Sequence, residues 1–195
     1  MRHSTVMRTS ERATTLRLAG FILTVGGGAL VVLGSLLNWV SVGLKGDTGG
    51  GFTVSTPGID LRAGLVALAL GALAILGIVA LRLVHSTTFR RLVGVGVILV
   101  GLGAAAIGVY EMTGDRDRYL FSGVREFAEH FSQEQGLPQN DQLAGQIREQ
   151  LRKDGVVDIQ IGIYVVIAGG VITIVGGVLD YAWAGARRRE RAEEA

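Results

Sequence analysis

The sequence predicts an all-α membrane protein, a four-helix transmembrane bundle carrying a small extracytoplasmic α+β cap of one hairpin and two amphipathic helices. Three observations predict it. Four long runs carry no charged residue, basic residues gather beside alternate connections between those runs, and glycine recurs every seven residues within each run.

A bilayer core about 30 Å thick takes roughly 20 apolar residues in a helix, at about 1.5 Å each. The uncharged runs lie between Arg17 and Lys45, Arg62 and Arg82, Arg91 and Glu111, and Asp158 and Asp180. They place the spans at 18–42, 61–84, 91–110 and 159–183. A basic tail occupies 1–17, a hairpin loop 43–60, a short connection 85–90, a helical segment 111–158 and a charged tail 184–195. The first run is longer than the apolar region of a signal peptide, and no small-x-small cleavage site follows it, so it is expected to stay as a span. A chain that is 49% hydrophobic, with mean hydropathy +0.43, suits this layout better than a soluble domain.

Cytoplasmic flanks are enriched in Lys and Arg close to the span ends. With both termini inside, the inner segments hold 11 of the 19 basic residues and a charge of +6, and the outer segments hold −4. Arg2, Arg8, Arg12 and Arg17, then Arg82, Arg90 and Arg91, then Arg187, Arg188, Arg189 and Arg191 carry this asymmetry. Arginine outnumbers lysine 17 to 2 and Gly, Ala and Val abound, the composition of GC-rich bacterial coding. The expected location is therefore the bacterial plasma membrane, with N- and C-termini in the cytoplasm.

Aromatic rings favour the headgroup level, where an apolar body and a polar tip are both accommodated. Trp39, Tyr110 and Tyr164 fall at outer ends of spans, and Tyr181 and Trp183 at the inner end of the fourth. They are expected to act as interface anchors.

Lipid tails are as apolar as leucine, so membrane helices associate through close packing of small residues and a few polar contacts. Gly20, Gly27 and Gly34 in the first span, Gly64 and Gly71 in the second, Gly94, Gly101 and Gly108 in the third, and Gly162, Gly169 and Gly176 in the fourth share a period of seven. Such a period keeps one seam facing a neighbour in left-handed packing near +20°, which predicts glycine packing seams on all four helices. Spans one and four also share Gly27-Gly28 and Gly34-Ser35 against Gly169-Gly170 and Gly176-Gly177. An inverted repeat is a transporter device, but in glycine-rich sequence such matches arise by coincidence.

In the first outer loop, Val40-Ser41-Val42 and Phe52-Thr53-Val54-Ser55 alternate around a glycine-rich turn, and Thr56-Pro57-Gly58 closes the loop. This reads as a hairpin. The glycine cluster lacks the Lys and Ser/Thr of a phosphate loop and opens no helix. Val156-Val157-Asp158-Ile159-Gln160-Ile161 also alternates and supplies a third strand beside the hairpin. In the second outer segment Phe121, Val124, Phe127 and Phe131 share one helical face, the candidate partner face, and Leu143, Ile147 and Leu151 share another after Gly136-Leu137-Pro138.

The chemistry of a catalyst is missing from this pattern. There is no cysteine, which excludes disulfides, thiolate metal sites and a Cys nucleophile. Topology separates His85 from His130, and Glu126, Glu129 and His130 read as a solvated helical turn rather than a metal site. No serine sits in a nucleophile elbow and no carboxylate pair lies in an apolar setting. Transport requires polar groups near mid-membrane, whereas the span interiors offer only Thr24, Ser35, Asn38 and Thr173. Neither an enzyme nor a cofactor is expected.

Leu36-Leu37-Asn38-Trp39-Val40-Ser41-Val42 at the end of span one, a glycine-rich loop, Pro57-Gly58-Ile59-Asp60 and three further spans resemble the tryptophan-associated membrane protein family of actinobacteria. The external segment of 111–158 departs from that family's compact second loop. The layout is also similar to that of claudins, without their extracellular cysteine pair. Neither resemblance carries over a catalytic or ligand residue. The expected role is structural or accessory, with the lipid bilayer and another envelope protein or a second copy as partners and no nucleic acid. A transporter or channel subunit is the alternative.

Overall fold

The computed structural model describes residues 3–44, 53–83, 87–114, 149 and 155–193. Four helices account for most of them: α1 (His3–Leu36), α2 (Arg62–Leu83), α3 (Thr87–Thr113) and α4 (Ile161–Glu193). Three strands, β1 (Asn38–Leu44), β2 (Thr53–Pro57) and β3 (Gly155–Ile159), form one antiparallel sheet in the order β2-β1-β3. A short 3-10 turn at Gly58–Asp60 joins β2 to α2.

Each helix contains a stretch long and apolar enough to cross a membrane: Leu18–Leu36, Arg62–Leu81, Arg91–Thr113 and Ile161–Trp183. Neighbours run antiparallel, because α1 meets α4 at both Gly20–Gly176 and Gly34–Gly162, while α3 meets α4 from Gly94–Tyr181 to Gly108–Ile167. The helices occupy the corners of a square: α1 packs on α2 and α4, and α3 packs on α2 and α4. Both chain termini consequently lie at one end of the bundle and the sheet at the other.

Several boundaries differ from those the sequence suggests. The first span does not continue to 42, since α1 stops at Leu36 and Asn38–Leu44 is a strand. The alternation of Val40-Ser41-Val42 suits a pleated surface, and this β-preference overrides the uninterrupted hydropathy that extended the span. The fourth helix starts at Ile161 rather than 159, after a strand that ends at Ile159. At the opposite end α1 begins at His3 and α4 reaches Glu193, so both segments taken as tails are largely helical. The α3 helix likewise exceeds 91–110, running from Thr87 to Thr113. The second outer segment, where two amphipathic helices are expected from the sequence, falls mostly outside the described residues.

In the sheet, Thr56, Val40 and Ile159 form one cross-strand row and Ser55, Ser41 and Asp158 the next. Val40, Val42 and Ile159 join Ala67, Ala104 and Ile163 of the helices in the main core, so one face of the sheet rests on the end of the bundle. The other carries the polar row, in which Ser55 and Asp158 are exposed and Gln160 Nε2 donates to Ser41 Oγ at 2.7 Å.

Candidate functional site: the glycine seam and the Trp39 junction

The closest helix contact is between α1 and α4, and its residues repeat with alternating spacings of four and three. On α1 they are Gly20, Thr24, Gly27, Val31 and Gly34; on α4, read backwards, they are Gly176, Thr173, Gly169, Val166 and Gly162. The two antiparallel helices thus present the same series in the same layers. A Cβ on Gly34 would stand 2.9 Å from the backbone N of Val166 and 3.0 Å from Gly162 O, and one on Gly20 3.2 Å from Gly176 O. Backbones this close exclude any side chain, which is why glycine alternates here with the β-branched residues that fill the remaining space.

Adjacent glycines serve different neighbours. Gly27 faces α4 and Gly28 faces Gly71 and Ile75 of α2; Gly169 and Gly176 face α1, while Gly170 and Gly177 face α3. Successive residues on an α-helix are about 100° apart, close to the right angle at which a corner helix of a square bundle sees its two neighbours. A glycine pair therefore lets one helix approach both. Gly28, Gly170 and Gly177 were not among the glycines taken as seams, although Gly170 and Gly177 are also seven apart, and the doubled glycines are the signal that marks all three.

At the sheet end the packing converges on Trp39. The register of β1 against β2 shifts by one residue between Asn38 and Val40, at Trp39. Such a bulge re-aims a side chain, and Trp39 and Val40 are both buried although regular alternation would point them to opposite faces. The indole Nε1–H donates to Gly34 O at 2.8 Å, satisfying a carbonyl that the end of α1 leaves without a helical partner. Two glycines enclose the ring: a Cβ on Gly162 would lie 2.7 Å from Trp39 Cδ1, and one on Gly58 would collide with Nε1 and Cε2. Backbone bonds complete the junction, from Gly58 N to Leu37 O (3.0 Å) and from Gln160 N to Trp39 O (2.8 Å). All three passages between sheet and bundle are thereby tied to one side chain and its neighbours.

In the sequence that builds this arrangement, residues 21–193 match the tryptophan-associated transmembrane protein family. The chain belongs to that family. No curated protein matches it. The matched region takes in all three strands, the Trp39 junction and nearly the whole seam.

The remaining sequence candidates are distributed as follows. Gly71 meets Gly28 on α1, and Gly101 and Gly108 meet α4. Gly94 is in ordinary contact with Tyr181 at 3.6 Å. Gly64 serves no helix pair: it sits directly on the Gly58 carbonyl of the 3-10 turn. Of the aromatic anchors, Tyr110, Tyr164 and Tyr181 are exposed, but Trp39 is 0% and Trp183 6% exposed. Trp39 is thus a core residue rather than a ring at the lipid headgroups, because the bulge turns it inward and Gly34 supplies its hydrogen-bond partner. Phe121, Val124, Phe127 and Phe131, like Glu126, Glu129 and His130, lie outside the described residues.

Polar groups inside the bundle are few and face their own backbones. Ser35 Oγ donates to Val31 O and Thr173 Oγ1 to Gly169 O, each at 2.8 Å. Thr24 Oγ1 is fully buried and has no hydrogen-bond partner among the described residues. Asp180 stands at the terminal end of the seam, its Oδ1 2.8 Å from where a Gly20 Cβ would lie.

Proposed function

We propose that this chain is a structural or accessory protein of the bacterial plasma membrane, its termini cytoplasmic and its sheet end outside, where it presents an outer segment to an envelope partner. The observation that carries this reading is the way the α1–α4 interface is filled. Backbone meets backbone through Gly20, Gly27, Gly34, Gly162, Gly169 and Gly176, and the hydroxyls of Ser35 and Thr173 are spent on their own helices. A seam packed this tightly suits a rigid platform better than a conduit, and the Trp39 junction couples the sheet firmly to it. A non-catalytic role is in keeping with the residue types available. The charge asymmetry between the two ends supports the orientation.

Because the chain has no cysteine, single introduced cysteines report sidedness directly. Ser55→Cys at the sheet end and Thr88→Cys at the other, both exposed positions, are to be probed in intact cells with a membrane-impermeant maleimide. Labelling of Ser55→Cys alone is expected, and labelling of Thr88→Cys alone reverses the orientation. A photo-crosslinking residue at Phe127 then tests the outer segment. Capture of a different envelope protein in a reproducible stoichiometry supports the accessory reading. Capture of this same chain only, or of a transport protein's membrane domain, replaces it with self-association or with the transporter-subunit alternative.

A further inference from the structure

The end of the bundle opposite the sheet carries an arginine that is held in an unusual way. Arg91 is the first residue of the third apolar stretch, is half-buried, and its Cζ lies 5.9 Å from the centroid of the Tyr181 ring on α4. That separation is within the range of a cation–π contact. One turn further on the two helices are still adjacent: a Cβ on Gly94 would stand 3.6 Å from Cβ of Tyr181, an ordinary van der Waals separation. Gly185, one turn past Tyr181, lies beside the guanidinium, Nη2 being 3.9 Å from where its Cβ would lie, an ordinary van der Waals separation.

Stacking occupies the face of a guanidinium and leaves its N–H donors, which radiate in the plane of the group, free to fork onto two oxygens of a phosphate. The level at which this happens also matters. Arg17, Arg82 and Arg90 are each one residue outside an apolar stretch, and Arg187 and Arg188 follow Trp183 by four and five residues on the continuous helix α4. At about 1.5 Å per residue these last two stand roughly 6–8 Å beyond the span, the depth of the headgroup layer. Arg188 is also seven residues past Tyr181, so its backbone position repeats the side of α4 that faces α3. Among the described residues, the charges near the span ends on the sheet side are instead mostly acidic: Asp60, Glu111 and Asp158 against Arg62.

We propose that the surface where the start of α3 meets the end of α4 binds the phosphodiester of an anionic phospholipid, with the stacked Arg91 as its principal donor and the arginine collar supplying attraction. The site needs only the bundle and holds whichever way the protein faces across the membrane.

The test uses the full chain in a neutral detergent, with thermal unfolding followed as phosphatidylglycerol is added. Wild type is expected to gain several degrees in Tm, phosphatidylcholine to give a much smaller shift, and inorganic phosphate at matched concentration none. Arg91→Gln should lose most of the phosphatidylglycerol shift, whereas Arg62→Gln, at the sheet end, should keep it. Native mass spectrometry of Arg91→Lys, which keeps the charge but not the planar fork, should show fewer retained phosphatidylglycerol molecules than wild type. Equal shifts with phosphatidylcholine, an equal shift with inorganic phosphate, or equal losses in Arg62→Gln and Arg91→Gln would overturn the proposal. So would wild-type lipid retention in Arg91→Lys, a result that remains informative if the glutamine variant does not fold.

Discussion

Gly27 and Gly169 touch reciprocally through their backbones: a Cβ on Gly27 would stand 2.7 Å from the carbonyl oxygen of Gly169, and one on Gly169 would stand 2.8 Å from the carbonyl oxygen of Gly27. Neither position tolerates a methyl group unless the helices separate. Alanine at either one is expected to destabilise the bundle by about 1–3 kcal/mol, the usual range for overpacking. Gly26 is the control. Nothing lies within 4 Å of its missing Cβ, so Gly26→Ala is expected to gain about 0.5–1 kcal/mol from helix propensity alone. Thermal unfolding of the three variants in one detergent checks the order, and a Gly27→Ala variant as stable as Gly26→Ala sinks the seam.

Trp39 and Trp183 are both buried, so the native protein should emit at short wavelength and resist quenching by iodide. In a Trp183→Phe background Trp39 reports alone, and its emission should stay blue-shifted until the sheet end comes apart. An interfacial Trp39 would instead be quenched readily in detergent. Trp39→Phe removes the donor to Gly34 O and is expected to cost about 1–3 kcal/mol, the range for leaving a buried acceptor unsatisfied.

Two threonines in the same layer of the seam should respond oppositely to the same change. Thr173 donates to Gly169 O at 2.8 Å, whereas the buried hydroxyl of Thr24 has no partner among the described residues. Valine keeps the shape and removes the hydroxyl. Thr173→Val is expected to lose about 0.5–1 kcal/mol, in line with hydrogen bonds inside membranes, and Thr24→Val to be neutral or stabilising. Chemical denaturation of both variants decides between this account and one in which Thr24 is engaged.

The helices were legible because a membrane span is specified by composition: long uncharged runs bounded by Arg17, Arg62, Arg91 and Asp180 leave little choice of element. The glycine period marked residues on every helix, but spacing says only that residues share a face. It does not say which neighbour that face meets, so the second face of the fourth helix, where Gly170 and Gly177 keep the same period, went unused, Gly28 escaped it, and Gly64, which supports the 3-10 turn, was counted among helix contacts. The match of Gly27-Gly28 and Gly34-Ser35 in span one to Gly169-Gly170 and Gly176-Gly177 in span four was set aside as coincidence, although both sets lie on the helix pair that forms the seam. The helices are antiparallel, and the layers pair Gly34 with Gly162 and Gly20 with Gly176. Trp39 was misplaced because hydropathy cannot distinguish a helix end from a buried bulge. A one-residue shift in strand register moved it from the headgroup level to the core.

Gly58→Ala provides a way to loosen the junction without touching the seam. A methyl group there would run into the Trp39 indole and approach Ser35 O at 2.7 Å, and both obstacles belong to the end of α1 and the start of β1. Beyond Gly34 and Gly162, which Trp39 itself touches, the bundle has its own contacts at Gly20, Gly27, Gly169 and Gly176 that this change does not reach. In the Trp183→Phe background, Gly58→Ala is therefore expected to red-shift Trp39 emission while the far-ultraviolet signal of the helices remains. Gly27→Ala in that background should do the reverse, lowering the temperature at which helicity is lost while Trp39 emission stays native below the transition. If both variants changed emission and helicity together, sheet and bundle would be one cooperative unit, and Trp39 would belong to the seam's folding rather than to a separable junction.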